Sequence, residues 1–122
     1  MTEADLRRLV DLFYARVRRD ALLGPLFNAA VADWPEHQDK LGAFWSSVML
    51  TTGRYKGSPM AAHLRHRDRI EPAMFERWLA LWRTAAREVF AKEDADAVIA
   101  KAERIAESLA LSLFFKLGSA AA

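Results

Sequence analysis

Four segments of the chain repeat large apolar residues every three or four positions, which is the spacing of one face of an α-helix. Each is long enough for several helical turns, and they cover residues 6–17, 34–48, 74–89 and 98–113. No stretch has the strict apolar–polar alternation of a strand, and the sequence has no internal repeat. The sequence therefore predicts an all-α fold of four long helices and two or three short ones, in which each long helix buries one apolar face.

Residues that commonly cap helices mark where individual helices begin and end. Asp33 and Asp94 precede apolar-periodic segments and are predicted N-caps. Ser58 followed by Pro59 predicts the start of a short helix, because proline suits the first helical position. Gly53 is predicted to end the second long helix, which leaves a polar loop before Ser58.

The length and composition of the chain narrow the possibilities further. Its 122 residues suit one domain over residues 1–122, with frayed ends expected at residues 1–3 and 118–122. The chain has no cysteine, so any metal must be held by histidine, by carboxylate or by a prosthetic group. With a formal net charge of only +2 and no long basic cluster, binding to nucleic acid is not expected.

The ends and the apolar runs of the sequence bear on its location. The start of the chain is polar and acidic, unlike a signal peptide. No apolar run approaches the roughly 18 residues that a membrane span requires. The sequence therefore predicts a cytoplasmic protein without a membrane partner.

Three rings that carry a polar atom fall on the predicted apolar faces of three different helices. Tyr14, His37 and Trp78 each bring a hydrogen-bonding group towards the interior, and a buried group of this kind needs a partner. Any one of them could bond a backbone carbonyl or a neighbouring side chain. Together they favour a cavity with converging polar groups, which is the usual form of a ligand site.

His63 lies on the short helix that begins at Pro59, and three interpretations of it are open. It could be a packed or surface residue. It could share a metal with His66 and with Asp68 or Glu71, although this spacing is not typical of a zinc site. A single histidine ligand is better suited to a metal that a macrocycle already holds by four atoms, which is haem.

Six motifs follow one another in a characteristic order along most of the chain. They are Phe13-Tyr14, Leu23-Gly24-Pro25-Leu26-Phe27-Asn28, Trp34-x-x-His37, Phe44-Trp45, Tyr55-x-Gly57-x-Pro59-Met60-x-x-His63 and Phe75-x-x-Trp78-Leu79. In this order and spacing the chain resembles the truncated haemoglobins, and most closely their third group, over about residues 8–90. The absence of a Gly-Gly pair before the histidine-bearing segment also suits that group.

The resemblance implies a truncated globin fold, a two-over-two helical sandwich around haem b, with His63 as the iron ligand. It places Tyr14 and Trp78 as donors to a bound ligand on the distal side, and His37 as a residue that controls access. The other distal residues would be Leu41 and Phe27. The other residues that bind the cofactor would be Tyr55, Phe44, Trp45, Met60, Arg54, Phe75 and Trp82.

Further expectations concern the surroundings of the haem. The second ring nitrogen of His63 would donate to a backbone carbonyl near Pro59 or Met60. Gly57 would permit a close approach of the backbone or a positive φ. The haem carboxylates would be bound by Tyr55 and by one of four basic residues, namely Arg54, Lys56, Arg65 and Arg67.

The expected function is the binding of diatomic gases, with O2, NO and CO as ligands. A polar distal pocket favours tightly held O2, or NO or peroxide chemistry, over bulk O2 delivery, and turnover would need an unidentified reductase. The expected assembly is a monomer or a weak dimer. The alternative is a haem-free helical interaction module, in which Tyr14, His37 and Trp78 are satisfied internally and the core closes on itself.

Overall fold

The computed structural model describes residues 1–114, and this part of the chain is helical and has no strand. The all-α prediction is confirmed, with four long helices, two short helices and a 3-10 turn at Arg67–Arg69. The α-helices are α1 Glu3–Val17, α2 Gly24–Ala30, α3 Trp34–Leu50, α4 Pro59–Arg65, α5 Pro72–Val89 and α6 Lys92–Phe114.

The long helices pack as two connected pairs. Helix α5 packs against α6, α1 packs against α3, and α1 also packs against α5, so that α1 and α5 join the two pairs. The residues of α1 that bury completely against these neighbours include Leu9, Val10, Phe13 and Val17, which recur at helical spacing. Helix α4, which carries His63, contacts α6.

Three indole rings form the centre of the core. The ring of Trp82 stacks on that of Trp45, with 4.3 Å between centroids, and on that of Trp78, with 5.7 Å. Phe13 meets Trp82 edge-on at 5.0 Å. The indole N–H of Trp82 donates to the carbonyl of Val98 at 3.1 Å, so this fully buried polar group is satisfied and α5 is bonded to α6.

The ends of two helices differ from the sequence prediction. Helix α3 ends at Leu50 rather than at Gly53, because Thr51 adopts the left-handed conformation with φ 56° and its N–H bonds the carbonyl of Ser47. Helix α6 begins at Lys92, two residues before the predicted cap Asp94. The carboxylate of Asp94 lies 3.5 Å from the terminal amino group of Met1.

The fraying expected at residues 1–3 stays a prediction, although these residues make specific bonds in the structure. Thr2 caps α1 in a capping box with Asp5, and Glu3 is the first residue of the helix. The terminal amino group is held by its ion pair with the carboxylate of Asp94. The prediction for residues 118–122 lies outside the described residues.

The carboxylate of Asp20 joins the α1–α2 turn to α5. Its side chain is only 5% exposed and accepts from the backbone N–H groups of Leu22 and Leu23 and from Nε of Arg77, at 2.7–3.1 Å. Burial alone would raise the pKa of Asp20. The Leu23 N–H, the Arg77 guanidinium and the Leu22 N–H together outweigh burial and hold the pKa below its usual value.

We expect Asp20→Asn to lower the free energy of unfolding at neutral pH by about 1–3 kcal/mol, because it removes the charge from three hydrogen bonds. A carboxyl whose pKa is lower in the folded state stabilises the protein above its unfolded pKa, and this stabilisation is lost as the pH falls through the folded pKa. The difference between wild type and variant should therefore shrink below about pH 4. Urea unfolding at several pH values measures it.

Asp39→Asn is the control for this experiment. The Asp39 carboxylate is 70% exposed in its ion pair with Arg7, and its loss should cost less than about 1 kcal/mol. Equal losses in the two variants would contradict the role given to Asp20.

Candidate functional site

A cavity of about 760 Å³ opens between α3, α4, α5 and α6, which lies within the size range of cofactor sites. Its walls are largely apolar and aromatic. Eleven of the thirteen residues predicted from the sequence line it. They are Tyr14, Phe27, His37, Leu41, Phe44, Trp45, Arg54, Tyr55, His63, Phe75 and Trp78.

The other two predicted residues, Met60 and Trp82, do not line the cavity. Trp82 lies behind the wall, where it is completely buried and stacks on the two indoles that do line it, Trp45 and Trp78. It therefore supports the wall without forming part of it. Met60 is half-buried on α4, three residues before His63 and outside the lining.

The orientation of the His63 ring follows from how α4 begins. Ser58 caps the helix by accepting from the N–H of Ala61 at 3.2 Å, and Pro59 occupies the first turn. The carbonyl of Pro59 then lies 2.7 Å from Nδ1 of His63, which confirms the predicted bond and its position at Pro59. A carbonyl only accepts, so Nδ1 carries the proton and the lone pair of Nε2 is free to bind a metal.

The alternative metal site at His63 and His66 finds no support. Within residues 1–114, no three side chains of histidine, aspartate and glutamate come together to hold a metal ion. His66 lines the cavity, and its backbone N–H donates to the carbonyl of His63 at the end of α4. His63 is therefore available as a single ligand.

Tyr14, His37 and Trp78 come together in the same cavity from three different helices. The ring of Tyr14 meets that of His37 edge-on, with 5.4 Å between centroids. Burial raises the pKa of the Tyr14 hydroxyl well above its usual value. The indole N–H of Trp78 lowers the pKa of that hydroxyl and so offsets part of the effect of burial.

The imidazole of His37 carries a buried polar atom without a partner in the described part of the chain, namely Nε2. Burial, and then the charge of Lys40, lowers the pKa of His37, so the ring is neutral at neutral pH. An unpaired buried nitrogen costs free energy unless something bonds to it. His37 therefore lies at the cavity wall with a ring nitrogen that no described residue satisfies.

The loop between α3 and α4 forms one edge of the cavity. The N–H of Tyr55 donates to Oγ of Ser47 at 2.8 Å, and the ring of Tyr55 meets Phe44 edge-on at 5.2 Å. Gly57 lies beneath this ring. A Cβ at position 57 would lie 2.6 Å from the Tyr55 hydroxyl oxygen, so the close approach predicted for Gly57 is confirmed.

Basic side chains lie along the cavity mouth. Of the four candidates named from the sequence, Arg54, Lys56 and Arg65 line the cavity and Arg67 does not. Sequence reasoning missed several lining residues because its helical pattern gives the buried face of a helix but not the partner of that face. These are Leu23, Leu26, Val31, Lys40, His66, Ile70, Met74, Ile105 and Leu109.

Comparison with known proteins agrees with this geometry. A sequence model of the bacterial-like globins matches residues 2–110. The chain is 31% identical to the Group 3 truncated hemoglobin of Campylobacter jejuni, over 97% of this chain and 94% of the relative. The crystal structure of group III truncated hemoglobin from Campylobacter jejuni superposes with a TM-score of 0.84, over 94% of this chain and 93% of that one. The chain belongs to the truncated haemoglobin family.

Membership confirms the predicted truncated globin fold and the likeness to group III. The general function of this globin is therefore haem-based binding of small gaseous ligands, with haem iron as the cofactor. Its residues fit such a group. The cavity has the size and aromatic walls for a flat apolar disc, one histidine has a free Nε2, and a second has a buried nitrogen without a partner.

No helix of the globin within residues 1–114 is long and apolar enough to cross a membrane.

We expect Gly57→Ala to displace the Tyr55 ring from the cavity edge of the globin, because the new methyl group would overlap the ring. The contact between Tyr55 and Phe44 should weaken, which nuclear Overhauser effects between the two rings would report. Gly42→Ala is the matched control, because its added Cβ meets only the flexible Arg7 side chain at 3.4 Å. Unchanged ring contacts in Gly57→Ala would contradict the packing described.

Proposed function

We propose that this globin holds haem b in its cavity through Nε2 of His63 and binds O2 and related diatomic gases beside Tyr14 and Trp78. The observation that carries the proposal is the 2.7 Å contact between Nδ1 of His63 and the carbonyl of Pro59, because it leaves Nε2 as the free nitrogen. The same carbonyl increases the electron density of the imidazole and restricts its rotation. Phe75, with its ring nearly parallel to that of His63 and 6.4 Å away, adds to this restriction.

When bound, the haem supplies an iron atom whose remaining position takes a diatomic gas. Tyr14 and Trp78 supply hydrogen-bond donors to the space beside it. The raised pKa of Tyr14 keeps its hydroxyl protonated at neutral pH, so it remains a donor. A donor stabilises a ligand that gains negative charge, as O2 does, more than CO, which gains little.

His37 has a different role from the two donors. Its neutral ring packs edge-on against both Tyr14 and Trp34, with centroids at 5.4 and 5.5 Å. The position at the cavity wall supports control of ligand access. Phe27 and Leu41, which also line the cavity, would exclude bulk water from the ligand.

The polar distal residues favour tightly held O2, or NO or peroxide chemistry, over bulk delivery. Turnover would draw electrons from a separate reductase. We further propose a cytoplasmic monomer or weak dimer. A haem-free interaction module is the less favourable alternative, because it accounts neither for the 760 Å³ cavity nor for the unpaired nitrogen of His37.

We expect His63→Gly to lose the Soret band of the purified protein, because the only bond from the protein to iron would be removed. Added imidazole should restore the band by occupying the space of the lost ring. His66→Gln, which changes the neighbouring histidine of the cavity lining, should keep the band. Colourless wild-type protein that is fully folded and does not bind added haemin would contradict the proposed function.

We expect Tyr14→Phe to accelerate O2 dissociation by about ten- to hundredfold, because one charge-assisted donor contributes about 1–3 kcal/mol. Stopped-flow measurement of the O2 and CO dissociation rates tests this. CO is the internal control, since its rate should change much less. An unchanged O2 rate would remove Tyr14 from the mechanism.

A further inference from the structure

The carboxylate of Glu3, at the start of α1, bonds two residues near the cavity edge. Oε1 of Glu3 accepts from the hydroxyl of Ser46 on α3 and from the guanidinium of Arg54 in the following loop, both at 2.6 Å. Ser46 is 1% exposed, so its buried hydroxyl needs a hydrogen-bond partner. One oxygen atom of Glu3 is thus bonded to two residues that lie more than forty positions away from it in the sequence.

The chemistry of the carboxylate and of the two hydroxyls determines which group donates in each hydrogen bond of this network. The Ser46 hydroxyl and then the Arg54 guanidinium hold the pKa of Glu3 below its usual value, so the carboxylate is ionised at neutral pH and only accepts. The Ser46 hydroxyl must therefore donate its one proton to Glu3. The hydroxyl of Thr52, 2.7 Å from Oγ of Ser46, must then be the donor in that contact.

Arg54 takes part in both the network and the cavity. Its NH1 group is bonded to Glu3, while the residue lines the mouth of the main cavity. A guanidinium has five N–H donors in a planar fork, so the ones that do not face Glu3 remain free for a second anion. Within residues 1–114, Glu3 is the only carboxylate paired with Arg54.

We propose that Glu3 is a positioning residue that holds the Arg54 guanidinium at the cavity mouth, where it binds a carboxylate of the haem. The inference rests on the proposed function. A free arginine side chain 55% exposed to solvent would lose rotational freedom on binding a carboxylate. The ion pair with Glu3 already restricts the Arg54 side chain before a carboxylate binds. The Glu3 carboxylate is itself held by the Ser46 hydroxyl, which Thr52 bonds in turn. The Arg54 guanidinium would then lie between the carboxylate of Glu3 and that of the haem, and its positive charge would reduce the repulsion between them.

The experiment measures haem loss from the loaded protein to excess apomyoglobin. Glu3→Gln keeps the shape of the side chain and removes its charge, and it should accelerate loss of haem b about two- to fivefold, the upper range for an exposed pair. Arg54→Gln should accelerate it at least as much. The double variant should lose haem no faster than Arg54→Gln alone, because Glu3 acts only through Arg54.

A second cofactor separates positioning from a general effect on the fold. In the dimethyl ester of haem b the two carboxylates carry no charge. Wild type and Glu3→Gln should therefore lose the ester at equal rates. Equal acceleration with haem b and with the ester would show a merely structural role and overturn the proposal, as would unchanged loss of haem b.

The control variant is Glu103→Gln. The Glu103 side chain is 48% exposed, as is that of Glu3, and it pairs at 2.9 Å with Arg83 on the neighbouring helix, away from the cavity lining. Its haem loss should match wild type. Acceleration in this variant too would overturn the proposal, because any surface pair would then act alike. Wild-type protein that binds neither cofactor would overturn the proposed function itself, which is a distinct result.

Discussion

The site depends on the bond between the carbonyl of Pro59 and Nδ1 of His63. It selects the tautomer, directs the imidazole and leaves one nitrogen with a free lone pair. The bond exists because Ser58 and Pro59 begin α4 at a fixed residue, so that the carbonyl of the first turn reaches the ring one turn later. A later start of the helix would remove the acceptor and leave the choice of tautomer to the solvent.

Two indole side chains link the aromatic centre of the core to the cavity wall. Trp45 and Trp78 line the cavity, and both stack on Trp82. Trp82 is in turn bonded to α6 through the carbonyl of Val98. The stacked rings resist displacement because close-packed interiors have little free space. The rigid wall behind the distal residues therefore comes from packing that has no chemical role of its own.

Most of the helices could be predicted from the sequence, and eleven of the thirteen site residues named from it line the cavity, because both depend largely on local signals. Helical periodicity located α1, α3, α5 and α6, and the Ser58-Pro59 pair located α4 and with it His63. The order of motifs along the chain, through the resemblance that it carries, then predicted roles for the site residues, which helical spacing alone does not indicate.

The failures have a common physical origin. Gly53 is a reasonable helix end from the sequence, but the left-handed residue that ends α3 is Thr51, two residues earlier. Trp82 lies on the inward face of α5, yet periodicity does not distinguish a ring that lines a cavity from one that packs behind it. The bonds of Glu3 could not be predicted because its partners, Ser46 and Arg54, are distant in sequence.

The α3–α4 loop differs from the helices in how it is attached to the protein. It is held by the Tyr55–Ser47 hydrogen bond, the Thr52 and Ser46 hydroxyls and one ion pair, and it buries little apolar surface apart from Tyr55. Segments with few buried apolar contacts open at a small fraction of the global unfolding cost. We therefore expect this edge of the cavity to open at a smaller free-energy cost than the indole core behind it.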